Sequence, residues 1–183
     1  NAIADRFGVE VTSTREPGGT ELGEAIRGIL LNPDLPAMDA QAELLLMFAA
    51  RAEHIAKVIE PALAAGRWVV CDRYIDATYA YQGGGRGLAL EAIATLERLV
   101  VGSARPDYTL LLDLDVDVAL KRAAERAELD RFEQEKQTFF QRVRAAYLDR
   151  AREEPQRIDV IDATGDIEIV QKSMLASLER NLS

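Results

Sequence analysis

The stretch "RWVVCDRYIDATYAYQGGGRG", residues 67–87, sets the reading of the whole chain. "RWVVC" (67–71) is an apolar run of strand length and predicts a buried strand. An Asp-Arg pair follows at once, then spaced polar and aromatic side chains, then three glycines between Gln82 and Arg86. Residues 71–87 are too polar for a core and too varied for a linker. A polar motif at the end of a buried strand is the arrangement of an open α/β sheet, where ligands gather at the carboxyl ends of strands.

The rest of the chain carries the same alternation. "AIADRFG" reads as a helix stopped by Gly8. "VEVTST" (9–14) predicts a short strand, followed by the loop "REPGGT". A helix is predicted over 20–31, with Leu22, Ile26, Ile29 and Leu30 on one face. Asp39 is placed to cap a helix over 40–65, with a kink near Pro61. Helices are also predicted over 89–101, 116–127, 133–153 and 166–180. "YTLLLDL" (108–114) reads as a strand buried on both faces, and "IDVID" (158–162) as the last strand. Four strands with helical crossovers predict an α/β domain. Three motifs begin at strand ends: "TREPGGT", the opening stretch and "IDATGD".

Composition narrows the functions. A chain of 183 residues, 48% hydrophobic, can build one globular domain with its own core. The net charge of −9 argues against a dedicated nucleic-acid binder, while leaving room for a local cluster of arginines. One cysteine, Cys71, and one histidine, His54, exclude an intrachain disulfide and a Cys/His metal cluster. That usage fits a reducing, cytoplasmic setting. No apolar run has membrane-spanning length and no signal peptide is visible.

Several side chains have the chemistry of a phosphate and ring site. Asp72, where the strand opens, could hold a hydrated Mg²⁺, and Arg73 could grip a phosphate with two hydrogen bonds. The alternative is a structural Asp-Arg pair. Thr78 and Gln82 stand four residues apart on a helical turn beside Tyr81. Gln82 could read a base edge and Tyr81 could pack on a sugar. Otherwise they are a helix start with ordinary tyrosines, and "GGGRG" a mobile loop with a solvated Arg86. Arg27 sits about two turns into its helix. Arg51 interrupts an apolar face next to Met47 and Phe48, either as the edge of a stacking platform or as a snorkelling arginine over a core. His54, one turn on, reads as structural. Arg122, Arg126 and Arg131 lie around "ELDRFEQE", as a solvated face or as a lid bringing cations over phosphate charge.

Together these motifs resemble the bacterial thymidylate kinase family. "TREPGGT", "DRYIDATYAYQGGGRG", "RPDYTLLLDL" and "ELDRFEQE" stand in that family's order at about its spacing, over essentially the whole chain. The resemblance implies a three-layer α/β/α P-loop kinase fold, with a parallel sheet, helices on both faces and a small lid at about 122–135. It implies ATP-dependent, Mg²⁺-dependent phosphorylation of dTMP to dTDP by a homodimer. Carried over, Arg73 and Arg27 would hold the dTMP phosphate, with Glu16 and Pro17 at that end of the pocket. Arg51 and Gln82 would read thymine, with Thr78 beside Gln82 and Met47 or Phe48 against the ring. Tyr81 would pack on the deoxyribose, and Asp72 would lie near Mg²⁺. Arg126 or Arg131 would reach the ATP phosphates, with Arg122, Asp162, Ala163 and Thr164 on the adenine side. Two positions depart from the family: Met47 stands where Phe is common, and Ala77 where Ser is common. A third departure is larger. No G-x-x-x-x-G-K-S/T occurs, so a P-loop-bearing segment of about 20 residues is expected upstream. The alternatives are another nucleotide or deoxynucleoside kinase or, for lack of a P-loop, a nucleotide-binding module without activity.

Overall fold

The computed structural model describes residues 2–124 and 130–182. The predicted elements are present. Helix α1 (Ala2–Phe7) leads to strand β1 (Val11–Arg15), helix α2 (Glu21–Leu31) and helix α3 (Ala40–His54). A π-helical segment, Ile55–Ile59, joins α3 to α4 (Glu60–Ala64). Strand β2 (Trp68–Asp72) runs into the short helix α5 (Ile75–Thr78), a second π-helical segment (Tyr79–Gly85) and α6 (Leu90–Val100). Strand β3 (Thr109–Asp113), α7 (Val116–Ala124), α8 (Gln137–Glu153), β4 (Ile158–Asp162) and α9 (Ile167–Leu182) complete the order.

Local chemistry explains most boundaries. The Thr20 hydroxyl accepts from the Gly23 N–H and starts α2, and the Asp39 carboxylate accepts from Gln41 and Ala42 and starts α3. The long helix does not simply kink at Pro61. It widens into the π segment, with the Glu60 N–H bonded to the Ile55 carbonyl, and restarts with Pro61 in its first turn, where a missing N–H costs nothing. Helix α8 starts at Gln137 instead of 133. Residues 130–136 form turns in which Asp130 accepts from the N–H groups of Phe132 and Glu133.

The strands pair in parallel, β1 with β2 in register Val11 to Trp68, and β3 with β4 in register Thr109 to Ile158. Among the described residues these are two separate two-stranded sheets. The sequence predicted β2 and β3 as fully buried strands. Among the described residues each strand is instead paired along one edge, with Val70 38% and Leu112 47% exposed.

The main core gathers Leu44, Phe48, Ile55, Ile59, Ile75, Tyr79, Ile93 and Val101 between α3, α5, the second π segment and α6. A second cluster packs Ala80, Phe132, Phe139 and Val143. Ion pairs tie the two halves of the chain. The Arg157 guanidinium donates to both Asp76 oxygens at 2.7 and 2.8 Å, and Arg150 reaches Asp76 at 3.2 Å. Asp76 is only 5% exposed, so this pairing is needed to keep its charge inside.

The triple glycine is not a mobile loop. Gly83, Gly84 and Gly85 belong to the second π segment, which lies directly against other helices. A Cβ at Gly84 would stand 2.5 Å from the Ala146 Cβ, and one at Gly85 would stand 2.5 Å from the Phe139 ring. Only glycine permits that approach. Arg142 of α8 then donates to the Gly85 carbonyl at 2.8 Å.

Candidate active site

The loop after β1 is held from below by a buried chain of polar groups. Glu16 is 5% exposed; one of its oxygens accepts from Arg51 Nε at 2.8 Å and the other lies 2.9 Å from His54 Nδ1. Glu16 can only accept here, so Nδ1 carries a proton. His54 Nε2 lies 2.7 Å from the Thr14 hydroxyl. The histidine expected to be structural therefore orients both β1 and its loop. Gly19 fits tightly over it: at φ 81°, a Cβ there would lie 2.7 Å from the His54 ring. From outside, Glu24 accepts from Arg15 at 3.0 Å and from the Gly19 N–H at 2.9 Å. The Gly19 bond and the nearby arginines hold its carboxyl below the usual range. Arg27 Nη1 donates to the Pro17 carbonyl at 2.9 Å, which fixes that guanidinium beside the same loop.

Arg51 is 2% exposed, yet its Nη1 is buried with no partner among the described residues. Its guanidinium lies over the rings of Phe48 (5.0 Å) and Tyr74 (5.4 Å). Phe48 is core, at 2% exposure. Met47 is half-buried and packs against both the cluster of Ala80 and Phe132 and that of Ile26 and Leu30, which leaves it the more accessible of the two apolar side chains.

Sequence reasoning missed Glu43 and Arg86. Glu43 is completely buried. It accepts from Gln82 Nε2 at 2.8 Å, from Arg86 Nε and Nη2 at 3.2 and 3.1 Å, and from Arg131 Nη2 at 2.7 Å. Arg86 also pairs with Glu135 and lies over the Phe139 ring at 4.8 Å, so it is not a solvated arginine. In sequence, Glu43 looks like one more polar position of an amphipathic helix, and its partners are 39 to 88 residues away. Arg131 Nε is further bonded to the Leu30 carbonyl at 2.7 Å. The arginine expected to reach ATP phosphates thus rests on α2 and Glu43. Arg126 lies outside the described residues.

At the end of β2, Arg73 takes a positive φ of 63°, a strained value for a side chain of this kind. The Cys71 thiol donates to the Arg73 carbonyl at 3.0 Å and helps hold that turn. The guanidinium lies 5.1 Å over the Tyr81 ring and makes no ion pair among the described residues. Desolvation by surrounding side chains opposes its charge, but Tyr81, Tyr147, Asp72 and Asp130 outweigh it and raise its pKa above the ordinary value. Tyr81 is braced edge-on by Phe132, Phe139 and Tyr147. Thr78 and Gln82 are each 1% exposed. Asp72 is exposed at the strand end. No group of three or more metal-ligating side chains exists among the described residues. A lone carboxylate still fits a divalent cation whose other ligands are phosphate and water.

The ends of β3 and β4 are more open. Arg122 donates to the carbonyls of Ala163 and Thr164 at 3.2 and 3.3 Å, so the structure joins the predicted arginine to the predicted loop. The Thr164 hydroxyl and N–H both donate to Asp162, at 2.7 and 2.9 Å, which lowers the Asp162 pKa. These groups are exposed except Ala163, which is half-buried.

An arginine of positive φ at a strand end with no ion pair among the described residues, a buried arginine with a spare donor and a braced tyrosine have the chemistry that an anionic, ring-bearing ligand would need. Comparison with known proteins meets that description. The thymidylate kinase family model matches residues 2–174. A thymidylate kinase of Pseudomonas putida is 60% identical over 171 residues, covering 93% of this chain and 83% of that protein. One of Pseudomonas fluorescens is 58% identical over 175 residues, covering 94% and 83%. The crystal structure of thymidylate kinase from Ehrlichia chaffeensis aligns with a TM-score of 0.77 at 33% identity, over 97% of this chain and 86% of that one. The matched span takes in the Glu16, Glu43 and Arg73 clusters alike, and the chain belongs to the thymidylate kinase family.

Proposed function

We propose that the chain transfers the γ-phosphoryl group of ATP to the phosphate of dTMP, giving dTDP. Family membership supports the reaction, and one observation carries the placement of its acceptor: Arg73, held at φ 63° with its guanidinium unpaired among the described residues. Strain of about 1–2 kcal/mol in the left-handed region is retained where function requires it. Arg73 and Arg27 bind the dTMP phosphate, beside the loop that Glu16 and Pro17 form. Arg51, through its spare Nη1, and Gln82 bind the thymine edge. Met47 supports the ring, Thr78 lies beside Gln82, and Tyr81 packs on the sugar.

Catalysis in this reading is positioning and charge neutralisation, because the acceptor phosphate is already largely ionised near neutral pH. Mg²⁺, when bound, would neutralise phosphate charge, and Asp72 is the residue that would hold it. Arg122 and residues 162–164 bind the adenine side. Arg126 and Arg131 belong to the lid at about 122–135, within a three-layer P-loop kinase domain. A homodimer through α3 and α6 is supported by Leu45, Leu90 and Leu99, which are 57%, 54% and 78% exposed. Among the described residues no helix is long and apolar enough to cross a membrane, and the single thiol suits a cytoplasmic enzyme.

The test is a coupled assay for ADP release by the full-length protein with ATP and Mg²⁺. Turnover with dTMP and little with thymidine is the expected result. Equal turnover of thymidine would point to a deoxynucleoside kinase instead, and no turnover with tight dTMP binding to a binding module.

A further inference from the structure

An amide side chain has two unlike ends, a donor and an acceptor, and the end a ligand meets depends on what holds the other. For Gln82 the nitrogen is held. It donates to Glu43 Oε1 at 2.8 Å, inside a residue only 1% exposed. Glu43 is itself flanked by the guanidinium groups of Arg86 and Arg131 at 2.7–3.2 Å. A carboxylate so placed offers only lone pairs. Turning the Gln82 amide over would set oxygen against oxygen in a buried site, which is costly. The Gln82 carbonyl is thus the end left for a ligand, and no donor meets it among the described residues. Two turns along the same face of α3 stands Arg51, whose buried Nη1 offers the opposite polarity. Met47 lies between them at four residues from each.

We propose that Glu43 sets the polarity of base selection: by fixing the Gln82 amide it makes the site demand a ring N–H, so that imide pyrimidines enter and cytosine is refused. The inference rests on the base reading given above for Gln82 and Arg51. Thymine and uracil present an N–H at ring position 3 beside a carbonyl oxygen, matching an acceptor and a donor. Cytosine presents a lone pair beside an amino group and is mismatched at both. Glu43 touches no substrate; it is a positioning residue.

The experiment measures kcat/KM for dTMP and for dCMP, with melting temperatures, in the full-length enzyme and in its Glu43→Gln and Gln82→Ala variants. In Glu43→Gln, Arg131 Nη2 and Arg86 Nη2, the two donors on the Oε2 side, hold the new amide oxygen. Its nitrogen then faces Gln82, whose amide reverses and presents a donor. The preference for dTMP over dCMP should fall about 10- to 100-fold, part of it a gain on dCMP. Gln82→Ala should lose activity on dTMP with no gain on dCMP. An unchanged preference in folded Glu43→Gln, with Gln82→Ala impaired on dTMP, overturns the proposal and leaves the base reading intact. A Gln82→Ala enzyme unimpaired on dTMP overturns both. Should Glu43→Gln fail to fold, the pair Glu43→Gln/Arg131→Gln removes a stranded cation and is read the same way. If that pair also fails to fold, Glu43 serves stability alone and the proposal falls.

Discussion

The strand ends of the two sheets are built differently. At the β1 and β2 end, Glu16, Glu43, Arg51, His54 and Gln82 are all at most 5% exposed and bonded to one another or to backbone. At the β3 and β4 end, Arg122, Asp162 and Thr164 are exposed, with Asp162 bonded to Thr164 and Arg122 to backbone carbonyls of the same loop. Most of these buried polar groups are held by one another, with Arg51 Nη1 and the Gln82 carbonyl left over, so the first end is positioned by the chain's own bonds. The second end can adjust to its ligand. In the proposed reading the first end takes the acceptor and the second the donor, which suits a reaction whose selectivity lies in the acceptor base.

Substitutions can break this comparison, beginning with the largest effect. Arg73→Ala should lower kcat/KM for dTMP about 100- to 1000-fold, with no drop in melting temperature. Arg73→Gly should lose as much activity while gaining about 1 kcal/mol of stability, since glycine accepts the positive φ. Near-normal turnover in either variant removes Arg73 from the phosphate site. Next, Glu16→Ala strands the buried Arg51 guanidinium, and denaturant titration should show a loss of about 3–5 kcal/mol. Wild-type stability there would mean that the acceptor end is not preorganised by this network. Gly84→Ala forces a methyl against Ala146 and should cost about 1–3 kcal/mol in the same titration. The smallest effect belongs to the donor end. Arg122→Ala should raise the KM for ATP several-fold and leave stability within about 0.5 kcal/mol. A large stability loss for Arg122→Ala would erase the contrast between the two ends.

Much of the fold was legible because its signals are local. Apolar runs marked all four strands to within two residues, and Thr20 and Asp39 marked helix starts by the hydroxyl and carboxylate they offer. Arg73, Tyr81 and Gln82 were legible as site candidates because a polar motif at a strand end has few other uses. What escaped was set by distance in the chain. Glu43 gains its meaning from Gln82, Arg86 and Arg131, none of which its helix pattern can reveal. The triple glycine read as flexible because glycine usually is, whereas here Ala146 and Phe139 press on it from α8. The half-exposed faces of β2 and β3 depend on which strands pair, and hydropathy alone cannot report pairing.

The most direct test of a preorganised acceptor site is calorimetric titration of the full-length protein with dTMP, without ATP. The account predicts saturable binding of dTMP, at least tenfold weaker binding of thymidine, and loss of that difference in Arg73→Ala. Equal affinity for thymidine and dTMP, or dTMP binding that appears only once ATP is present, would contradict it.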